Sequence, residues 1–156
     1  GLVKSEKLFA DTYNLFITGG FEGELILGPD TLISTGDWYL LWPGADSIYK
    51  YTEHLFLIKY NLGEKLIWYK NYENVRSLSV AQDNSHNLYL VAYHYGECLI
   101  EDDIKITDNL FLLKYDENGK YLWHLTGGPS GQITQPYDLI CCDNHLYITG
   151  HIAVNI

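Results

Sequence analysis

Two stretches of this sequence spell nearly the same message. HLFLIKYNLGEKLIWYK (54–70) returns 55 residues later as NLFLLKYDENGKYLWHL (109–125). Leu55, Phe56, Leu57, Lys59, Tyr60, Lys65 and Trp68 come back as Leu110, Phe111, Leu112, Lys114, Tyr115, Lys120 and Trp123. A second unit occurs three times, as NLFITGGFEG (14–23), NLYLVAYHYG (87–96) and HLYITGHI (145–152). Each copy follows a short apolar stretch: KLFAD (7–11), SLSVAQD (77–83) and DLICCD (138–143). A chain that repeats at such intervals builds one supersecondary unit several times, and those units bury their faces by stacking on one another.

Each unit reads as a hairpin. SLSVAQD and NLYLVAYHY are strand-like runs on either side of Asn84-Ser85-His86, and KYD and KYLWHL flank Glu117-Asn118-Gly119. Asn-Gly supplies the positive φ that tight hairpins need. The earlier copy carries Gly63, one position out of step with Gly119, so its turn chemistry is expected to shift slightly. No segment sustains a helical period, and Gly or Pro interrupts most windows long enough to hold one.

Naming strands from inside to outside, the order is AB, CD, AB, CD, AB. The strands fall near 7–10, 14–21, 54–60 and 65–71, then 77–83, 87–95, 109–116 and 120–126, then 137–142 and 145–152. Four short antiparallel strands per repeat describe a β-propeller blade, whose sheet must stack on its neighbours. The near-continuous apolar character of LYLVAY and LFLLKY fits sheets covered on both faces. The expected fold is therefore all-β, one partial propeller over residues 1–156. It comprises about two and a half blades: 7–71 with an insertion at 35–53, 77–126, and a half blade at 137–152. Propellers close with about four to eight blades, so this stretch is expected to be part of a larger one, completed by further blades or by neighbouring chains. Its last hairpin would otherwise leave an apolar edge unpaired. Gly1 in place of a starting Met reads as a processed or excised start.

Composition narrows the function. A hydrophobic share of 47 % excludes disorder, and 14 Tyr and 4 Trp with no Met favour strands. A net charge of -10 repels phosphate backbones, which argues against a nucleic-acid partner. No apolar run has membrane-spanning length. Cys98, Cys141 and Cys142 are odd in number, with two adjacent and pointing to opposite faces of a strand, so buried thiols are expected rather than a disulfide framework.

Candidate binding residues gather in the insertion, where Trp38, Tyr39, Trp42, Tyr49 and Tyr51 crowd around the turn at Pro43-Gly44. Blade loops open onto propeller faces, and exposed aromatics make good contact surfaces. The plainer alternative is that the insertion folds back over its own blade. Glu101, Asp102 and Asp103, with Glu97 and Asp108 nearby, are the densest carboxylates. Closely spaced oxygens suit Ca²⁺, yet the spacing matches no calcium loop, and a solvated acidic turn explains it as well. No other cofactor is expected. His94 and His151 end equivalent strands, too few ligands for a metal by themselves, while His54 and His145 stand where Asn caps a turn in other copies. GGPSG (127–131) is neither a nucleophile elbow nor a phosphate loop, and no nucleophile is paired with a general base.

These residues resemble the SBBP-type β-propeller repeat family. The family pattern combines a D-x-x-x-N-h-Y-h-T-G hairpin with a D-h-F-h-h-K-Y-D-x-x-G-x-h-x-W hairpin, where h is apolar. Asn14 to Gly19 and His145 to Gly150 match the first, and Asn109 to Asp116 with Gly119 and Trp123 match the second. Gly127-Gly128 fits the Gly-Gly that follows the Trp. The likeness spans most of 7–152 outside the insertion; it departs at Leu90-Val91-Ala92, where Thr-Gly is absent, and at Leu62-Gly63-Glu64. Asp116, Gly119 and Trp123 are also similar to quinoprotein-type repeats. The first resemblance implies a secreted or surface-displayed, non-enzymatic repeat protein acting as a protein-binding scaffold. Fold does not dictate activity, however. The expectation is thus a structural or interaction module for a protein or surface-glycan partner. A small-molecule or glycan-binding propeller, with or without a metal, is the alternative, and a fragment of a propeller enzyme with its active residues elsewhere is the third.

Overall fold

Apolar runs bounded by Asp, Asn and Gly turns fold here as short strands. The computed structural model describes residues 2–34, 36–40, 47–51, 54–94, 98–101, 103–127 and 133–153. Among these residues every regular element is a strand, and no helix is long and apolar enough to cross a membrane. In chain order the strands are β1 (Leu2–Ala10), β2 (Asn14–Glu22), β3 (Glu24–Leu27), β4 (Asp30–Ile33), β5 (Gly36–Leu40) and β6 (Ser47–Tyr51). Next come β7 (His54–Asn61), β8 (Leu66–Glu73), β9 (Val75–Gln82), β10 (Leu88–His94) and β11 (Cys98–Glu101). The last are β12 (Ile104–Ile106), β13 (Leu110–Tyr115), β14 (Tyr121–Gly127), β15 (Ile133–Cys142) and β16 (His145–Ala153).

The chain is all-β and built from small antiparallel sheets. Two are four-stranded, ordered β1-β2-β7-β8 and β9-β10-β13-β14, and a third is the pair β15-β16. The strand order inside each four-stranded sheet is the one expected from the repeats. Three further hairpins, β3-β4, β5-β6 and β11-β12, leave the sheets between their second and third strands. The segment 96–108, expected as a loop, therefore contains the hairpin β11-β12. The sequence hides it because its strands are only four and three residues long. Its counterpart in the first repeat is β3-β4, and β5-β6 within 35–53 is the extra element.

Turns repeat their chemistry more faithfully than their sequence. Asp11 Oδ1 accepts from the N–H groups of Tyr13 and Asn14, both at 2.7 Å. Asp83 Oδ1 accepts from Ser85 and Asn87 at 2.9 Å. At the outer turns Asn61 Oδ1 takes the N–H groups of Gly63 and Lys65, and Asp116 Oδ1 those of Asn118 and Lys120. Such side-chain mimicry of a backbone turn is why Asp and Asn bound these strands. The positive φ does not move with the glycine: it sits at Glu64 (60°) and at Gly119 (77°), which occupy the same repeat position. Gly63 is thus not the residue that supplies it, and Glu64 takes a conformation glycine would adopt freely.

The Thr-Gly motif also has a physical reading. In β16, a Cβ on Gly150 would clash with the Gln135 carbonyl oxygen. The β15-β16 register slips there, between Pro136 and Asp138, and the β1-β2 register slips at the equivalent place, between Ser5 and Lys7, opposite Gly19 and Thr18. Where Ala92 replaces the glycine, the bulge moves along the ladder to Tyr93/His94. A methyl group displaces the irregularity without abolishing it.

Alternate residues of each central strand serve different clusters. Leu55 and Leu57 of β7 join Leu88, Leu90 and Ala92 of β10 in one core spanning both four-stranded sheets. Phe56 and Ile58 face the other way, toward Leu27 and Leu32 of the β3-β4 hairpin. Tyr89 and Val91 turn to Leu139 of β15. Every residue of β10 is buried, as its apolar sequence requires of a strand covered on both faces. Cys98, Ile100 and Ile106 of β11-β12 belong to the core that joins the two sheets.

Candidate functional site

Register-equivalent polar residues meet where the sheets approach. Counting from the paired leucines Leu15, Leu88 and Leu146, the innermost strands place Lys7 opposite Thr18, Ser79 opposite Val91 and Asp138 opposite Thr149. These three first-strand residues, one from each sheet, form a single cluster. Ser79 Oγ donates to Asp138 Oδ1 at 2.8 Å and accepts from Lys7 Nζ at 2.9 Å and from the Leu139 N–H at 3.1 Å. Lys7 also pairs with Asp138. Hydrogen bonds from Lys7, then Ser79 and the Leu139 N–H, hold the Asp138 carboxyl at about 2. The Ser79 hydroxyl is buried, and its proton and both lone pairs are committed. That geometry ties three sheets together and leaves no oxygen free to attack a substrate.

The outer strands carry a second tie. Lys59 Nζ and Trp68 Nε1 both donate to the Glu117 carbonyl oxygen, at 2.7 and 3.3 Å. Gly119 lies flat on the indole, where a Cβ would stand 3.0 Å from Trp68 Cδ2 and Cε2. Lys59 and Trp68 are register partners, with Lys59 also over the Phe16 ring. Between these ties, Tyr72 O–H donates to the Tyr115 oxygen at 3.2 Å in the core. Burial above all pushes both phenols up.

Of Glu101, Asp102 and Asp103, the carboxylates expected to gather a cation, Glu101 is already paired. Glu101 pairs with Lys70 at 2.8 Å, Asp103 is exposed in the turn, and Asp102 lies outside the described residues. A cation at Glu101 would compete with the Lys70 ammonium, and no group of three metal-ligating side chains occurs among the described residues. Of the aromatic candidates, Trp38 pairs with Tyr49 and Gly36 with Tyr51 in the β5-β6 ladder, with Tyr39 opposite Ile48. The side chains of Trp38, Tyr39, Tyr49 and Tyr51, and all of Trp42, lie outside the described residues, as do 128–132. Next to the first sheet, an open groove of about 740 Å³ runs between the β3-β4 turn and β8. Tyr60, Trp68 and Tyr69 give it aromatic surface, and Asp30, Glu64 and Lys65 give it charge.

His54 is fully buried beside Phe21, not a turn cap, while His145 does bond the turn through the Asp143 carbonyl. His94 is buried with its Nε2 at 2.7 Å from the Asp108 carbonyl, and His151 is exposed. Burial lowers both His54 and His94 from the ordinary imidazole value. Cys98 is buried and its thiol is pushed up to about 12, chiefly by burial, so it is inert in the folded chain. Comparison with protein-family models, with curated proteins and with solved structures finds no match.

The polar ties escaped the sequence reading because their members differ in type at equivalent positions: Lys, Ser and Asp. Counting register from the paired leucines would have found them.

Proposed function

We propose that this chain is a stack of β-propeller blades of the SBBP kind that binds another macromolecule and performs no catalysis of its own. The observation that carries the reading is the use of its polar side chains. Lys7, Ser79, Asp138, Lys59 and Trp68 are spent holding one sheet against the next, as a scaffold requires. The contact surface is assigned to the extra hairpin β5-β6, which one repeat has and the other lacks, with Trp38, Tyr39, Trp42, Tyr49 and Tyr51 as its aromatic residues. A protein or surface glycan is the partner class, outside the cell, as the family resemblance implies. The test is a Trp38→Ala, Trp42→Ala double variant compared with the parent against a defined candidate partner by surface plasmon resonance. Weakened capture with an unchanged far-UV spectrum supports the reading, and equal capture rejects the hairpin as the contact.

A second reading rests on the groove beside Tyr60, Trp68 and Tyr69, whose ring faces and flanking carboxylates suit a sugar. Glycan-array binding lost on Tyr69→Ala, or a calcium-dependent rise in melting temperature, would favour it over the first.

A further inference from the structure

Asn118-Gly119 is the one Asn-Gly step in the sequence, and it sits in the turn that ties the two four-stranded sheets together. An Asn followed by Gly readily loses its side-chain amide in water, because glycine has no side chain to obstruct its own nitrogen. In that reaction the Gly119 backbone nitrogen gives up its proton and attacks Asn118 Cγ. A bond forms between them, the bond from Cγ to the amide nitrogen breaks, and ammonia leaves with the proton. Water then opens the cyclic imide at either carbonyl, giving aspartate or isoaspartate. One water is consumed and one ammonia released, with no change of oxidation state.

Asn118 is exposed, so water reaches it. What the fold controls is the attack. The Gly119 N–H donates to the Asp116 carbonyl at 3.0 Å, and the Asn118 N–H donates to Asp116 Oδ1 at 2.9 Å. The nitrogen that must attack is therefore held inside the turn. The peptide joining the two residues has to swing before that nitrogen reaches Cγ, and the neighbouring sheet holds both of its flanks. On one flank the Glu117 carbonyl accepts from Lys59 Nζ and Trp68 Nε1 at 2.7 and 3.3 Å. On the other, Gly119 lies so close to the indole that a Cβ would stand 3.0 Å from Trp68 Cδ2 and Cε2.

We infer that Asn118 is a site of spontaneous deamidation gated by the tie between the two sheets. While the outer turn is seated on Trp68 the amide is protected; when the turn lifts, Gly119 attacks and the residue is converted. The isoaspartyl product runs the main chain through its side chain and so carries one extra carbon between residues 118 and 119. The Glu117 carbonyl and Gly119 then no longer both reach their places on Trp68. A turn that has lifted and reacted does not reseat as before, which makes the step one-way. This inference does not depend on what the chain binds.

The test follows loss of the Asn118 amide by mass spectrometry of digests made at acid pH. It compares the 156-residue chain with a synthetic peptide of residues 109–125 aged in the same neutral buffer. The peptide is expected to react about tenfold or more faster than the folded chain. Trp68→Ala should speed the reaction in the chain toward the peptide's rate. Trp68→Phe, which keeps a ring but offers no N–H to Glu117, should speed it by a smaller factor, and it decides the point alone where Trp68→Ala fails to fold. Leu139→Ala loosens β15 against the second sheet without touching the tie and controls for general destabilisation; far-UV spectra verify that each variant folds. Equal rates in peptide and chain, Trp68 variants no faster than the parent, or an equal acceleration by Leu139→Ala would each overturn the gating. The aged isoaspartyl fraction, resolved by anion exchange and identified by enzymatic methylation, should unfold at lower urea than the parent. Asn118→Asp, which adds the charge without the extra carbon, should stay close to the parent. An isoaspartyl fraction as stable as Asn118→Asp would overturn the one-way step.

Discussion

Replacing Gly119 with Ala loads two costs onto one methyl group. At a φ of +77° an L side chain meets its own backbone, a penalty of about 1–2 kcal/mol. The new Cβ would also lie 3.0 Å from two indole carbons of Trp68. The ring cannot retreat freely, because Trp68 packs against the core and its N–H is bound to the Glu117 carbonyl. Such overpacking adds about 1–3 kcal/mol, so the expected loss is about 2–5 kcal/mol, a large fraction of the stability of an ordinary domain. Urea unfolding followed by far-UV circular dichroism reads it. Gly127→Ala is the control: a Cβ there meets nothing within 4 Å, and its effect should stay within about 0.5 kcal/mol. On a Trp68→Ala background the cost of Gly119→Ala should fall to the backbone part alone. An equal cost on both backgrounds, or one no larger than the control's, would refute the reasoning.

Glu64 presents the converse case: Glu64→Gly removes a left-handed non-glycine residue and should raise stability by up to about 1 kcal/mol in the same assay. For His54 and His94, burial keeps the folded pKa below the unfolded value of 6.5, so the unfolded chain binds more protons and stability should fall as pH drops below that value. A His54→Gln, His94→Gln variant should show a flatter stability profile in that range. Asp138 acts lower: its folded value of about 2 lies under 3.8, so its stabilisation is present above 3.8 and lost as pH falls toward 2. With its side chain 53 % exposed, screening holds that contribution to about 1 kcal/mol or less, and Asp138→Asn should shrink the most acidic part of the transition. A thiol-reactive dye should label at most two of the three cysteines in the folded chain, with Cys98 reacting only after denaturation.

Much of the fold was legible because the repeats are written in apolar residues. LYLVAYH and HLFLIKY announce strands with both faces covered, and the Asp, Asn and Gly between them mark the turns. What stayed hidden depends on register and on heterotypic partners. The bulge beside Gly150 goes with a close approach of the Gln135 carbonyl, leaving no room for a Cβ, that no periodicity reports. Lys7, Ser79 and Asp138 complement one another, so comparing repeats for likeness overlooks them. The β11-β12 hairpin was masked by acidic residues that read as a solvated loop, although Glu101 of that run is bound to Lys70.

The stacking of sheet upon sheet is tested most directly by the proton spectrum of Gly119. One of its Hα atoms points at the Trp68 ring, along the bond on which a Cβ would stand 3.0 Å from the ring carbons. It should resonate well upfield of ordinary glycine and show a nuclear Overhauser effect to the Trp68 indole, both lost in Trp68→Ala. An ordinary shift with no such effect in the folded chain would mean that the outer turn of one sheet does not rest on the tryptophan of the other.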